Sequence, residues 1–416
     1  MINMKRVYQI FAGTQKNLFK QISEHIGYFE SLHITDIWLT PIWESPSYHG
    51  YDASDHLTIK KDIGTMEEFT DMCNLLHKHN IKVMFDLVPC HVSVEHHWFK
   101  EHPEYFMWST EKRGVQKAYG NFDQSSENAW HWNEERQMFY YAPFSEYMPS
   151  LNLDNEEVRK LLVYVAKYWL QHGVDCFRLD AIIHSHLHID DSVNFFKWFK
   201  EQIPVYMVGE AWTNYNTIQK YNDVIDSCFD FPLQGNLVWS TKNLDFLGVA
   251  SDLNRTSPNL MLFTSNHDMN RVGQVLEQDT DKIKLYLWLN LLFSQGQHCL
   301  YYMDEIGIGG DKSGGDIYVR PEIDWNKIST QLFTTDSILR EYIRAVGLID
   351  KHKVLSEGKI VRVECQYEYS RLAIYKEYKG KRVKIKIQPS SRNLDKMYTV
   401  ASFCGYDIVI AIHETV

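Results

Sequence analysis

The chain has 416 residues, 44% apolar and 23% charged, which are the proportions of a soluble globular protein long enough for one large domain with additions. Its 43 Lys and Arg against 54 Asp and Glu leave a net charge of −11, which argues against nucleic acid or an anionic membrane as partner. Seven scattered cysteines, no CxxC or HExxH, and a start (MINMKRVYQIFAG) without a long apolar stretch point to reduced thiols in a cytoplasmic protein with no signal peptide or membrane span.

Eight apolar runs read as strands in chain order: 6–12, 34–41, 81–89, 175–182, 205–212, 224–231, 260–266 and 299–305. Helical patterns lie between most of them, at 17–32, 66–80, 156–172, 192–202 and 280–294. In the first, Leu18, Ile22, Ile26 and Phe29 recur at spacings of three and four, one helical face. The second opens on Thr65 with Glu68 three residues on, a capping-box pattern. Strand–helix alternation implies a parallel sheet, and eight repeats suggest closure. The spacing breaks once: some sixty residues from His91 to Asp154, rich in Trp, Tyr, His and Asn, lack a long helix. After about 350, runs at 358–364, 371–377, 383–388 and 407–413 read as short antiparallel strands. The expected fold is an α/β (β/α)₈ TIM barrel from 1–91 and 155–350, with an inserted subdomain at 92–154 and a small β domain at 351–416.

Three acids stand where apolar runs should meet loops: Asp180 in CFRLDAIIH, Glu210 in VYMVGEAW and Asp268 in LFTSNHD. Ionised groups beside a core lose hydration, so three such placements suggest a function. Catalytic groups of a parallel barrel come from the C-terminal ends of different strands. Arg178 precedes Asp180 by two residues, hence on the same side of a strand, and can hold it ionised. Glu210 follows an apolar strand and sits beside Trp212, surroundings that raise a carboxyl pKa and suit a general acid. A nucleophilic carboxylate and a protonated one are the minimal equipment of glycoside hydrolysis. Asn266 and His267, next to Asp268, can hydrogen-bond a polyol. Aromatics make up 14% of the chain, and some rings could stack on sugars, with Trp43, Trp98, Trp130 and Trp132 as candidates.

Seven stretches in order resemble those of the α-amylase superfamily, glycoside hydrolase family 13: YHGYDASDH (48–56), DLVPCH (86–91), MPSLN (148–152), FRLDAIIH (177–184), VGEAW (208–212), SNHD (265–268) and YYMDEIG (301–307). MPSLN is similar to the version found between the oligo-1,6-glucosidase and neopullulanase groups. The resemblance implies that Asp180 is the nucleophile, Glu210 the acid/base and Asp268 the acid that binds the sugar and strains its ring. It implies substrate-binding roles for Tyr51, Asp52, His91, Arg178, His184, His267 and Arg271, with Asp86 in support. It further implies retention of configuration, the carboxylate pair lying roughly 5–5.5 Å apart, and an α-glucan or maltooligosaccharide substrate.

Several positions depart from the family pattern. Cys90 stands where many relatives have a calcium-binding Asn, and a thiol is a poor ligand for a cation that takes oxygens. No cofactor is therefore expected, and calcium is doubtful at its usual site. Ile183 replaces a frequent Lys and Met303 a frequent Gly. His184, His186 and His188 alternate without a partner carboxylate at ligand spacing, so no metal is read there. GIGGDKSGG (307–315) lacks the phosphate-binding pattern and reads as a flexible loop. Transfer to a sugar or isomerisation at the same site, and a non-catalytic carbohydrate-binding protein on this fold, are the competing readings. Linkage specificity and oligomeric state are not legible in the sequence.

Overall fold

Eight parallel strands close a barrel in the computed structural model, which describes residues 4–113, 129–367, 371–392 and 398–414. They are β1 (Lys5–Ile10), β2 (Asp36–Leu39), β3 (Lys82–Leu87), β4 (Cys176–Leu179), β5 (Met207–Gly209), β6 (Ser227–Phe229), β7 (Leu260–Phe263) and β8 (Gln297–Tyr301), each neighbouring the next and β8 returning to β1. Every one falls within or overlaps an expected run, but each is shorter, because the apolar runs carry on into the turns. Their residues are buried almost throughout, as strands covered on both faces must be.

Two compact units divide the chain. One comprises Ile10–Ile26 and Ile37–Cys228. Within it β4 pairs with β3 on one side, placing Arg178 opposite Asp86, and with β5 on the other, placing Arg178 opposite Val208. Helices α3 (Met66–Lys78), α4 (Glu156–Gln171) and α5 (Ile189–Gln202) lie at or near their expected places, α3 with the capping box of Thr65 and Glu68 formed. The expected helix 17–32 is two, α1 (Leu18–Glu24) and α2 (Ile26–Ser31). His25 ends α1: its ring Nδ1 lies 2.8 Å from the Gln21 carbonyl that the next helical turn would use. The stretch expected to be an insert contains one short helix, His97–Glu101, and a three-stranded antiparallel sheet of Trp108–Ser109, Met138–Tyr141 and Trp130–Asn133; its residues 114–128 lie outside the described ones.

The other unit comprises Met1–Gln9, Gly27–Asp36 and Phe229–Val416. Its α6 (Thr280–Phe293) is apolar all round and almost wholly buried. The C-terminal sheet has five antiparallel strands, ordered β9 (Lys359–Gln366), β10 (Arg371–Tyr378), β11 (Lys381–Pro389), β13 (Tyr406–Glu414) and β12 (Thr399–Phe403). Sequence reading missed β12. The sheet is pinned to α6 by Lys376, buried without a carboxylate partner, whose Nζ donates to the carbonyls of Leu292, Ser294 and Leu355. Burial pushes this ammonium down to about 7. No described helix is long and apolar enough to cross a membrane, and all seven thiols are unpaired.

Candidate active site

Arg178 is the centre of the 37–228 unit's polar core. It leaves β4 fully buried, and its Nη1 donates to Asp86 Oδ1 and Asp180 Oδ1, each at 2.7 Å. Its Nη2 lies 2.6 Å from Glu210 Oε2. One guanidinium thus carries three carboxylates, an arrangement its planar fork suits and a Lys could not reproduce. The partner expected for Asp180 is present, but Glu210 departs from expectation. The apolar strand before Glu210 delivers it to the Arg178 guanidinium rather than to an apolar pocket.

Backbone geometry supports this gathering. Ala181 turns into the left-handed region at φ 45°, and its N–H donates to Glu210 Oε2 at 3.1 Å. Gly209 precedes Glu210 with no room for a side chain: a Cβ would lie 2.5 Å from Ile182 Cδ1 and 2.9 Å from Ile225 Cδ1. Asp86 is fully buried and also accepts from the Tyr51 hydroxyl at 2.8 Å and Trp38 Nε1 at 3.2 Å. Burial pushes its carboxyl above the usual range, while Arg178 and Tyr51 pull it back. The side chains of Asp180 and Glu210 keep 9% and 12% exposure, whereas that of Asp86 keeps none. The first two can be reached from outside; Asp86 can only support.

Asp52 is buried and accepts from the hydroxyls of Ser45 and Ser47, so it organises the 45–52 loop that presents Tyr51. His91 is buried, and neither ring nitrogen has a well-formed hydrogen bond, although the Tyr51 main chain is near enough to favour its protonated form. Such weakly satisfied polar atoms in a core suit a ligand or water. Burial pushes His91 down, and His184 to about 4, with His91 contributing to the latter. Phe144 packs against both rings. Cys90 Sγ lies 3.7 Å from the Asp180 carbonyl and provides no oxygen ligand. The residues here do not fit the family's calcium site. Among the described residues no group of three or more His, Cys, Asp or Glu is placed to hold a metal, and the HSHLH histidines do not converge.

In the 229–416 unit Asp268 follows β7, with its N–H capped by Asn266 Oδ1 at 2.9 Å. Its carboxylate meets His267 Nε2 at 3.0 Å and Arg320 Nη2 at 2.9 Å, and it keeps 30% exposure. Lys312, from the glycine-rich loop, donates to its main-chain carbonyl. Arg271 needs correction. It is wholly buried, lies over the rings of Tyr301 and Tyr302, and binds Tyr302 O and Asp304 Oδ1. It has no exposed surface for a sugar, although its Nη2 has no hydrogen-bond partner; it braces the segment that carries Arg320 through a bond to Val319 O. Gln9 and Arg320, which approach His267 and Asp268, went unnoticed in the sequence because neither belongs to a motif. Of the four tryptophans, Trp43, Trp98 and Trp130 are buried, and only Trp132 is exposed.

Asp180 and Glu210, gripped by one arginine fork where parallel strands of a barrel end, are the arrangement of an enzyme site. The family model for the alpha amylase catalytic domain matches residues 13–357. Alpha-amylase 3 of Dictyoglomus thermophilum is 33% identical over 393 residues, spanning 82% of this chain and 75% of that protein. Oligo-1,6-glucosidase of Bacillus cereus is 38% identical over 193 residues, spanning 42% and 34%. The solved structure of an alpha-amylase from H.orenii matches with a TM-score of 0.83 at 25% identity, covering 99% of this chain and 98% of that one. The chain belongs to the α-amylase family, as a glycoside hydrolase of the α-amylase type.

Proposed function

We propose that this enzyme is a retaining glycosidase that hydrolyses α-glucosidic bonds in maltooligosaccharides or related α-glucans. The observation that carries the reading is the fork of Arg178, which grips Asp180 and Glu210 at once. Two carboxylates on one guanidinium stay close, as a retaining pair at roughly 5–5.5 Å requires. Asp180 attacks the anomeric carbon as the glycosidic oxygen leaves with a proton from Glu210, forming a glycosyl ester. Water then attacks that carbon, giving its proton to Glu210 and releasing Asp180. To act as the acid, Glu210 has to turn from Arg178 Nη2 towards the glycosidic oxygen of a bound sugar. The family resemblance gives Asp268 a role in binding sugar hydroxyls; within the Arg178 unit, the buried ring of His91 can offer the sugar a hydrogen bond.

A second reading is transfer, in which a sugar hydroxyl replaces water at the ester. A relative named 4-alpha-glucanotransferase, from Thermotoga neapolitana, is 28% identical over 304 residues, spanning 70% of this chain and 68% of that protein. A product survey on maltotriose, isomaltose, pullulan, cyclodextrin, starch and sucrose separates the two: longer products mean transfer, shorter ones hydrolysis. Asp180→Asn is expected to lose at least about a thousandfold in rate, as removal of a covalent nucleophile requires. A variant as active as wild type would end the assignment.

A further inference from the structure

Gln9 occupies β1, wholly buried between Tyr8 and Ile10. Its amide Nε2 lies 2.8 Å from His267 Nδ1, and His267 Nε2 lies 3.0 Å from Asp268 Oδ2. A neutral imidazole has one N–H and one acceptor nitrogen. An amide nitrogen only donates, so the Nδ1 beside it accepts and the proton sits on Nε2, directed at Asp268. The reversed amide would present its oxygen to an Nδ1–H, which either leaves a neutral ring's Nε2 lone pair facing a carboxylate, two acceptors in contact, or requires an imidazolium. Gln9 Oε1 is buried without a hydrogen-bond partner.

We propose that Gln9 is a positioning residue whose amide N–H fixes His267 as its Nε2–H tautomer, so that His267 serves the reaction as a neutral donor towards Asp268 and the sugar. Neutrality matters because Arg320 already pairs with Asp268, and a neutral donor takes up less of the remaining charge of that carboxylate than an imidazolium would. The kinetic part of this inference rests on the proposed role of Asp268; the tautomer does not.

The test reads the tautomer directly. Long-range ¹H–¹⁵N spectra of the whole protein, labelled at histidine, distinguish Nε2–H, Nδ1–H and imidazolium, and His267→Gln identifies the signals. The wild type is expected to show Nε2–H at neutral pH. Nδ1–H or imidazolium there would overturn the proposal whatever the variants do. Gln9→Leu, which folds or not without affecting that result, is expected to mix the tautomers and lower kcat about tenfold with KM little changed, the size of one hydrogen bond made in the transition state. A Gln9→Leu protein with the wild-type tautomer would also overturn it, even if less stable. Gln9→Glu, an acceptor of the same shape, is expected to place a proton on Nδ1 and raise the titration of His267 above its ordinary range. An unchanged wild-type tautomer in Gln9→Glu counts against the proposal. If no α-glucan is turned over but the tautomers behave as stated, the proposed function fails and this inference stands.

Discussion

Asp86, Asp180 and Glu210 gather on one guanidinium, whereas Glu305, fully buried past the end of another strand, is bonded by two phenols and feels the Arg271 cation only at a distance. The hydroxyls of Tyr8 and Tyr28 both donate to Glu305 Oε1, and its Oε2 has no hydrogen-bond partner. Burial pushes Glu305 up to about 7. Both clusters lie in stretches that resemble family motifs, and both put acids into a core. They differ in what remains unmet. The Arg178 cluster has more negative than positive charge and keeps two carboxylates accessible, so it can take a substrate. Glu305 has no exposure and is bonded by two neutral hydroxyls, so it holds β1 and α2 together. A buried acid at a strand end is therefore not by itself a catalytic sign; access and an excess of charge distinguish one that reacts from one that braces.

The sharpest way to break this contrast is to take away the cation. Arg178→Met leaves three carboxylates facing one another without compensation, and loss of one partner from a buried ion pair costs on the order of 3–5 kcal/mol. The orphaned acids will hold protons in the folded state above the pH at which they lose them unfolded. Stability of the variant then falls as pH rises through that window, so its deficit in urea unfolding should be greater at pH 8 than at pH 5. A deficit independent of pH would mean that Arg178 acts by packing over Trp38 and Tyr51 and not by charge.

Glu305→Gln probes the other cluster and should behave in the opposite sense. In the wild type the folded-state pKa is raised to about 7, so between about 4.5 and 7 the unfolded chain loses this proton first and stability falls with pH. The whole window amounts to about 3 kcal/mol. Glutamine keeps an oxygen for Tyr8 and Tyr28 and has no charge to bury. The variant should therefore be no more stable than wild type at pH 5 and more stable, by about 1–3 kcal/mol, at pH 8. Two parallel stability–pH curves would show that Glu305 is not the buried charge described above. Activity should survive, in contrast to Asp180→Asn.

The barrel was legible because fully buried strands are continuous apolar runs, and the three acids were legible because charge interrupts those runs. The partners of the acids were less so. Arg178 announced itself at two residues from Asp180, but its hold on Glu210 depends on β4 pairing with β5, which local sequence does not encode. Gln9 and Arg320 are remote in sequence from His267 and Asp268 and carry no signature of their own. Arg271 misled because a motif neighbour of Asp268 was assumed to share its surface, and the side chain turns into the core instead. The break at His25 arises from a side chain competing for a helix carbonyl, which an apolar period cannot reveal. Met303 was noted only as a departure from glycine, and the structure gives the reason for that glycine: the residue sits at φ 65°.

The smallest effect is expected from removing metal ions. A calcium site at the usual position would need oxygen ligands, and the side chain there is the thiol of Cys90, buried against the Asp180 carbonyl. Burial pushes that thiol well up, so it stays protonated and neutral. The carboxylates nearby already have their cation in Arg178, which leaves a divalent ion little charge to gain. Bound metal raises stability by RT ln(1 + [L]/Kd), and stripping a site held a hundredfold above its Kd would cost about 2.7 kcal/mol, several degrees in thermal midpoint. EDTA should therefore move the midpoint by no more than about one degree, well short of what that linkage would produce. A drop of several degrees, restored by calcium and not by magnesium, would show an oxygen site elsewhere on the chain.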